Sequence, residues 1–346
     1  MRIIDMHNHF YPSVYLKFLR DGLSAVKTAK DDNGNFLIVY EGDFNLVDRG
    51  HTDTDFRISQ IMRHGIDCQV LTMTTPGVHV EEPRRGAEIA RAVNEEFSEI
   101  VRRSGGHFEA FAALPLQTPE RAAEELEYAV TKLGLRGGTL FTNINGRTLD
   151  KPEFEVVFAT AWRLDVPLFV HPTTPIPSDA FGDYRLAATI GFPTDTTLCI
   201  ARLIFAGIFD RFPGLRLIAS HLGGTLPYLS ERLDRGFAAY PECQRIERAP
   251  GEYLKEIFYD CVLFNPLTVE YAVKMFGASQ FVVGSDYPHQ IGDLGKAVST
   301  IRALPISDHE KEMILGKNAE QLLKIGVCAS DRQCKVSVRK QDIESE

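Results

Sequence analysis

Arg2-Ile3-Ile4-Asp5-Met6-His7-Asn8-His9 opens the chain. Arg2, Ile3 and Ile4 begin a short buried strand, and two histidines close it at i and i+2. Side chains two apart on a strand point to the same side, so both imidazoles can share one metal ion. The fold then turns on which other strands end in a ligand of that kind.

Three more do. The apolar run 166–171 ends in His171, the run 215–221 ends in His221, and 281–285 leads into Asp286. Further strand patterns lie at 68–73, 108–116, 137–142 and 258–264, which makes eight with 2–9. Helical patterns fill the gaps, at 54–65, 87–103, after Thr118-Pro119-Glu120, and at 151–164, 195–209 and 307–325. Eight strands alternating with helices predict an α/β fold, a (β/α)8 TIM barrel. An open doubly wound sheet is the alternative, but it gives no reason for polar residues at four strand ends at once. A barrel does, because its active site sits at the C-terminal ends of its strands. A long polar insertion is expected at about 10–52, with 36–40 as half of a small hairpin, and a loosely ordered polar tail at 326–346. Residues 1–325 then form a single domain.

The 346 residues are 44% hydrophobic and 25% charged, enough for a large core. A net charge of −9 without a basic run argues against a nucleic-acid partner. The N-terminus lacks the pattern of a signal peptide, and no apolar run is long enough for a membrane span, so a cytoplasmic protein without membrane partners is expected. None of the six cysteines has CxxC spacing, which predicts reduced, mostly buried thiols.

A lone histidine after an apolar strand is ordinarily a core or capping residue. Agreement of four strand ends on ligand chemistry is what points to a metal. Among His7, His9, His171, His221 and Asp286, three imidazoles and a carboxylate suit one divalent ion with a water in an open position, zinc first, with manganese or iron also accommodated. His289, three residues past Asp286, is expected to face the pocket. His51, His64, His79, His107 and His309 read as ordinary surface or loop residues. Neither a Walker sequence nor a strand–GxGxxG–helix unit is present, so no organic cofactor is expected.

In these segments, together with Ser220-His221-Leu222-Gly223-Gly224, Phe264-Asn265-Pro266, Gly284-Ser285-Asp286-Tyr287-Pro288 and Gly316-Lys317-Asn318-Ala319, the chain resembles the amidohydrolase superfamily. Within it, the likeness is to the decarboxylase branch, the group that includes 2-amino-3-carboxymuconate 6-semialdehyde decarboxylase. The resemblance implies His7, His9, His171 and Asp286 as metal ligands and His221 as an acid–base residue near a metal-activated water. It implies that Arg232 grips a substrate carboxylate from a neighbouring subunit, which requires a homodimer. One position departs: a Phe-Arg pair in the insertion, a second carboxylate grip in that enzyme, stands here as Phe44-Asn45, with Arg49 nearby. Asn45, Phe192 and His289 are the remaining candidates for substrate contact, and His289 replaces an aromatic residue. The expected reaction is loss of CO2 from an unsaturated or aromatic small-molecule carboxylate, a carbon–carbon lyase activity. A hydrolase or hydratase, such as a lactonase for a ring-cleavage product, is the alternative.

Overall fold

The computed structural model describes residues 1–40, 43–175 and 178–325; the expected polar tail, 326–346, lies outside them. All eight expected strands are present. They are β1 (Ile4–His9), β2 (Cys68–Thr72), β3 (Phe108–Ala110), β4 (Gly138–Phe141), β5 (Leu168–His171), β6 (Leu217–Ala219), β7 (Phe258–Asp260) and β8 (Phe281–Val282). Every pairing among them is parallel. β1, β2 and β3 form one sheet and β4 to β8, in sequence order, a second. Single parallel bridges join the edges of the two sheets, Ala112 to Gly138 on one side, Asp5 to Val283 and Asn8 to Tyr287 on the other.

The strands are apolar on both faces, and their residues divide between two clusters. Leu168 and Val170 of β5, Leu217 and Ala219 of β6, and Phe281 and Val283 at β8 belong to the large core shared with the helices. The intervening Phe169, Ile218 and Val282 join Ile4, Met6, Cys68, Val70 and Phe111 in a smaller cluster on the opposite face. Leu322 and Leu323 of the last helix, Asn318–Leu323, pack into that second cluster.

Local chemistry sets the helix starts. Asp53 caps Thr54–Arg63 through its side chain. Glu82 caps Pro83–Arg103, which therefore starts four residues before its apolar periodicity, with Pro83 in the first turn. Thr118 stands at the N-cap of Pro119–Thr131 without a side-chain cap bond. The helix expected at 195–209 begins at Phe192 and runs to Phe205.

The insertion after β1 holds a helix, Ser13–Arg20, and a three-stranded antiparallel sheet of Lys27–Lys30, Phe36–Tyr40 and Asp43–Leu46. The expected half hairpin is thus the middle strand of three. Cys68, Cys199 and Cys261 are buried free thiols, and Cys243 is a half-buried one. Among the described residues no helix is long and apolar enough to cross a membrane.

Candidate metal centre and active site

The strand-end residues converge. His7 Nε2 lies 3.1 Å from His9 Nε2, and Asp286 Oδ1 lies 3.0 Å from His9 Nε2 and 3.5 Å from His7 Nε2. His171 and His221 approach from β5 and β6, their rings centred 5.3 Å and 4.9 Å from that of His7. Two overlapping triads could hold a cation: His7, His9 and Asp286, and His7, His171 and His221, each with donor atoms within 4.8 Å of one another.

Their second nitrogens decide how the rings present themselves. His7 Nδ1 bonds Asp260 Oδ2 at 2.6 Å, His171 Nδ1 donates to the Pro172 carbonyl at 2.7 Å, and His9 Nδ1 faces the Thr72 hydroxyl at 3.3 Å. Each contact fixes a ring and leaves Nε2 free for a ligand, the usual arrangement around protein-bound metals. The donor set of imidazole nitrogens and a carboxylate therefore fits a divalent ion of the zinc or manganese kind. His221 differs, because its Nδ1 is buried and has no hydrogen-bond partner.

Burial pushes the Asp286 carboxyl up to about 7, with Asp260 and Asp5 adding to the effect against the pull of His7. Burial would depress the His7 imidazole, but the Asp260, Asp286 and Asp5 carboxylates together raise it. His9 and His171 are lowered by burial and by neighbouring imidazoles. His221 is pushed down to about 3 by burial and then by His7, so its neutral form prevails.

The backbone at these positions is strained. His221, Leu222, Phe264 and Asp286 all adopt positive φ between 52° and 58° at the ends of β6, β7 and β8. For residues with a Cβ this costs ~1 kcal/mol each, and it turns His221 and Asp286 back over the strand ends. Gly284 permits the approach of β8 to β1, since a Cβ there would stand 2.8 Å from His7 Cβ.

Beneath the converging histidines lies a polar layer that the sequence reading missed. Arg57 is fully buried. It donates to the carbonyls of His9 and Gly50, to Gln69 Oε1 and to Asn8 Oδ1, all within 2.6–2.8 Å. Gln69 in turn donates to Asp5 Oδ2, which also accepts from Ser285 Oγ. Asp260 could have been found, as the one charge inside the apolar run Phe258-Tyr259-Asp260-Cys261-Val262. Arg57 carried no such signal, being one polar residue on an amphipathic helix.

Above the converging histidines opens a cavity of about 140 Å3, whose walls include His171, His221, Asp286, Phe192, His289 and Asn45. His289 faces it as expected, its ring 4.5 Å from that of His9. Two of the histidines read as surface or loop residues are buried: His51, packed 5.3 Å from His289, and His79, packed 4.6 Å from Phe141. The amide nitrogen of Asn45 is engaged by Tyr11 and Thr75, so it serves the wall as a clamp. Arg49 points outward to Asp53. Arg232 is exposed on the helix Leu226–Ala239 and does not line this cavity.

A model of the amidohydrolase family matches residues 4–325. The chain belongs to the amidohydrolase family. This amidohydrolase is 28% identical over 331 residues to 2-amino-3-carboxymuconate-6-semialdehyde decarboxylase of Dictyostelium discoideum, across 92% of this chain and 91% of that protein. It is 31% identical over 290 residues to γ-resorcylate decarboxylase of a Polaromonas species, across 78% and 87% of the two chains. Among solved structures it resembles a Polaromonas dihydroxybenzoic acid decarboxylase with bound manganese and the inhibitor 2-nitroresorcinol. The TM-score is 0.76 at 26% identity, over 94% of this amidohydrolase and 98% of that chain.

Proposed function

We propose that this amidohydrolase is a metal-dependent, non-oxidative decarboxylase of an unsaturated or aromatic carboxylic acid. The observation that carries the reading is the convergence of His7, His9, His171, His221 and Asp286, the last three lining one cavity, with three of the imidazoles fixed through Nδ1. The relatives named above are decarboxylases, so the hydrolase alternative is not favoured. The bridges between the two sheets support a closed (β/α)8 barrel spanning about residues 1–325.

His7, His9, His171 and Asp286 are the ligands of one divalent metal. Sequence alone favours zinc, while the dihydroxybenzoic acid decarboxylase holds manganese. The bound ion supplies a Lewis acid that polarises substrate oxygen atoms. His221 is the acid–base residue: its buried imidazole, unpartnered at Nδ1, would pass to the substrate a proton supplied by water and be reprotonated from water. The proton ends on the substrate carbon that bears the leaving carboxylate. The bond to that carboxylate then breaks, CO2 departs, and the bonding pair returns to the unsaturated system. Phe192 and His289 wall the cavity around the substrate.

Arg232 acts on the cavity of a second copy, binding a carboxylate through both arms of its guanidinium. Exposed Tyr228, Leu267 and Tyr271 on the adjoining helices Leu226–Ala239 and Pro266–Phe276 support a homodimer through this face. A cytoplasmic setting agrees with the free thiols.

The test is CO2 release by the metal-loaded protein from a panel of hydroxybenzoates and muconate semialdehydes. Release from at least one member is expected. Silence across the panel, with lactone turnover that His221→Ala abolishes, would establish the hydrolase instead.

A further inference from the structure

Two separate parts of the chain meet over the cavity: the insertion after β1, and the segment 178–191 between β5 and the helix Phe192–Phe205. Asp43 and Phe44 line it from the first, Arg185 and Thr189 from the second. One side chain joins them. The Arg185 guanidinium carbon lies 4.1 Å from the centre of the Phe44 ring, and Nη2 donates to the Phe44 carbonyl at 3.1 Å. Nη1 pairs with Asp43 Oδ1 at 2.6 Å. Asp43 is buried, and its Oδ2 has no hydrogen-bond partner, so Arg185 is the charge that offsets it. The guanidinium is thereby committed to the wall itself.

The two sides are held unequally. Asn45 ties the hairpin to the ends of β1 and β2, donating to the Tyr11 hydroxyl at 2.8 Å and to the Thr75 carbonyl at 2.9 Å. Glu81 accepts from the Ser24 hydroxyl and, at 2.8 Å, from the Ala25 N–H, which anchors the insertion a second time. Across the cavity, Tyr184 is 90% exposed, and Tyr184 and Arg185 both adopt positive φ, 56° and 58°. Such strain persists only where the surroundings impose it. The exposed Tyr184 side chain contributes little to that, so the contacts of Arg185 carry it. The enclosed space is also small. About 140 Å3 is close to the ~150 Å3 that accommodates benzene and well under the ~300–1,000 Å3 of ordinary ligand clefts. An aromatic acid has to displace part of the wall to enter.

We infer that the segment 178–191 is a lid on the cavity and that Arg185, through Asp43 and Phe44, is its latch. With the latch made, the cavity is shut around a ring-sized volume. With it broken, the strained backbone at Tyr184 and Arg185 relaxes, and the lid moves away from the anchored hairpin. Arg185 and Asp43 are positioning residues: they set how often the cavity opens and take no part in breaking the bond to CO2. The inference rests on the proposed function only in taking an aromatic acid as the molecule that passes the lid.

Hydrogen exchange and ligand kinetics of the metal-loaded protein test it. Arg185→Met should speed amide exchange across 178–191 by ~10-fold or more, the factor for a lost charge-assisted hydrogen bond. Asp43→Asn should do the same to 178–191 from the opposite side of the cavity. The double variant should add nothing further, because both changes remove one contact. Association and dissociation of salicylate, followed in stopped flow by its own fluorescence, should both rise ~10-fold with Kd kept within about twofold, since the latch closes the free and the occupied cavity alike. Unchanged exchange in both variants would overturn the latch and leave the decarboxylase reading standing. Faster exchange with unchanged salicylate rates would overturn the lid. Wild type that binds no salicylate and releases CO2 from no member of the panel would overturn the decarboxylase reading, and the exchange comparison still decides the latch.

Discussion

His7 Nδ1 and Asp260 Oδ2 stand 2.6 Å apart, both side chains fully buried. Asp260 ends β7 and also accepts from the backbone N–H of Val262 at 3.0 Å. The carboxylate therefore holds one tautomer of His7 and makes Nε2 a better donor to a metal. Asp260→Asn keeps the size and loses the charge. Metal affinity, read by competition with a chromophoric chelator, is expected to fall ~10–100-fold. Unchanged affinity would remove Asp260 from the metal's support.

Binding and proton transfer should separate between His9 and His221. His9→Ala should abolish stoichiometric metal, measured by elemental analysis of the dialysed protein. His221→Ala should retain the metal and lose ~10²–10⁴-fold in turnover, the usual share of a positioned acid–base group. Loss of metal in His221→Ala would make His221 a ligand instead.

Arg232 gives a test by mixing. Arg232→Ala and His221→Ala are each expected to be inactive. A heterodimer of the two contains one cavity with its own His221 and an intact Arg232 from the other chain, so part of the wild-type activity should return. A confirmed heterodimer without activity would place Arg232 outside the site.

Arg57 is a stability residue placed under a functional layer. Replacing it with Met leaves Gln69 Oε1, Asn8 Oδ1 and two carbonyls without their donor. Breaking such a buried charged network costs ~3–5 kcal/mol, to be read as a shift in the urea midpoint. A loss under ~1 kcal/mol would show that water replaces the guanidinium.

His79 predicts a pH dependence. Burial pushes its imidazole down to about 3, and its Nδ1 has no partner. The unfolded chain takes up a proton near 6.5, whereas the folded chain does so only near 3. The unfolded state therefore binds more protons between those values, and stability falls as pH falls through that window. From about pH 6.5 to pH 5 the loss traceable to His79 is ~2 kcal/mol. His79→Gln should flatten the profile of unfolding free energy against pH by that amount. A parallel profile would mean that water or rearrangement satisfies the ring.

The eight strands, their alternation with helices and the ligand types at their ends were legible in the chain because each is a local pattern. An apolar run followed by a polar residue needs no tertiary information to be seen. His51, His79 and Arg57 show the limit. Each is one polar residue in a loop or on a helix, and only packing against a strand end buries it. Arg185 shows it again: 141 residues separate it from Phe44, and no spacing rule links the insertion after β1 to the loop after β5.

The opening strand divides the two contributions most clearly. From sequence, His7 and His9 share a side, because strand side chains repeat every second residue. Which side they share was not determined there. Ile4 and Met6 face the inner cluster, and an unbroken strand would turn His7 and His9 the opposite way, toward the helices. The pairing of β1 with β2 shifts register between Asp5 and Asn8. A bulge of this kind changes the phase of the alternation, and His7 comes to lie 5.0 Å from the Phe169 ring, beside His171 and His221. Hydrogen bonds from Ser285 and Asp286 to the His7 carbonyl hold the irregularity in place. The histidine pair was written in the first nine residues; its direction came from β2 on one side and β8 on the other.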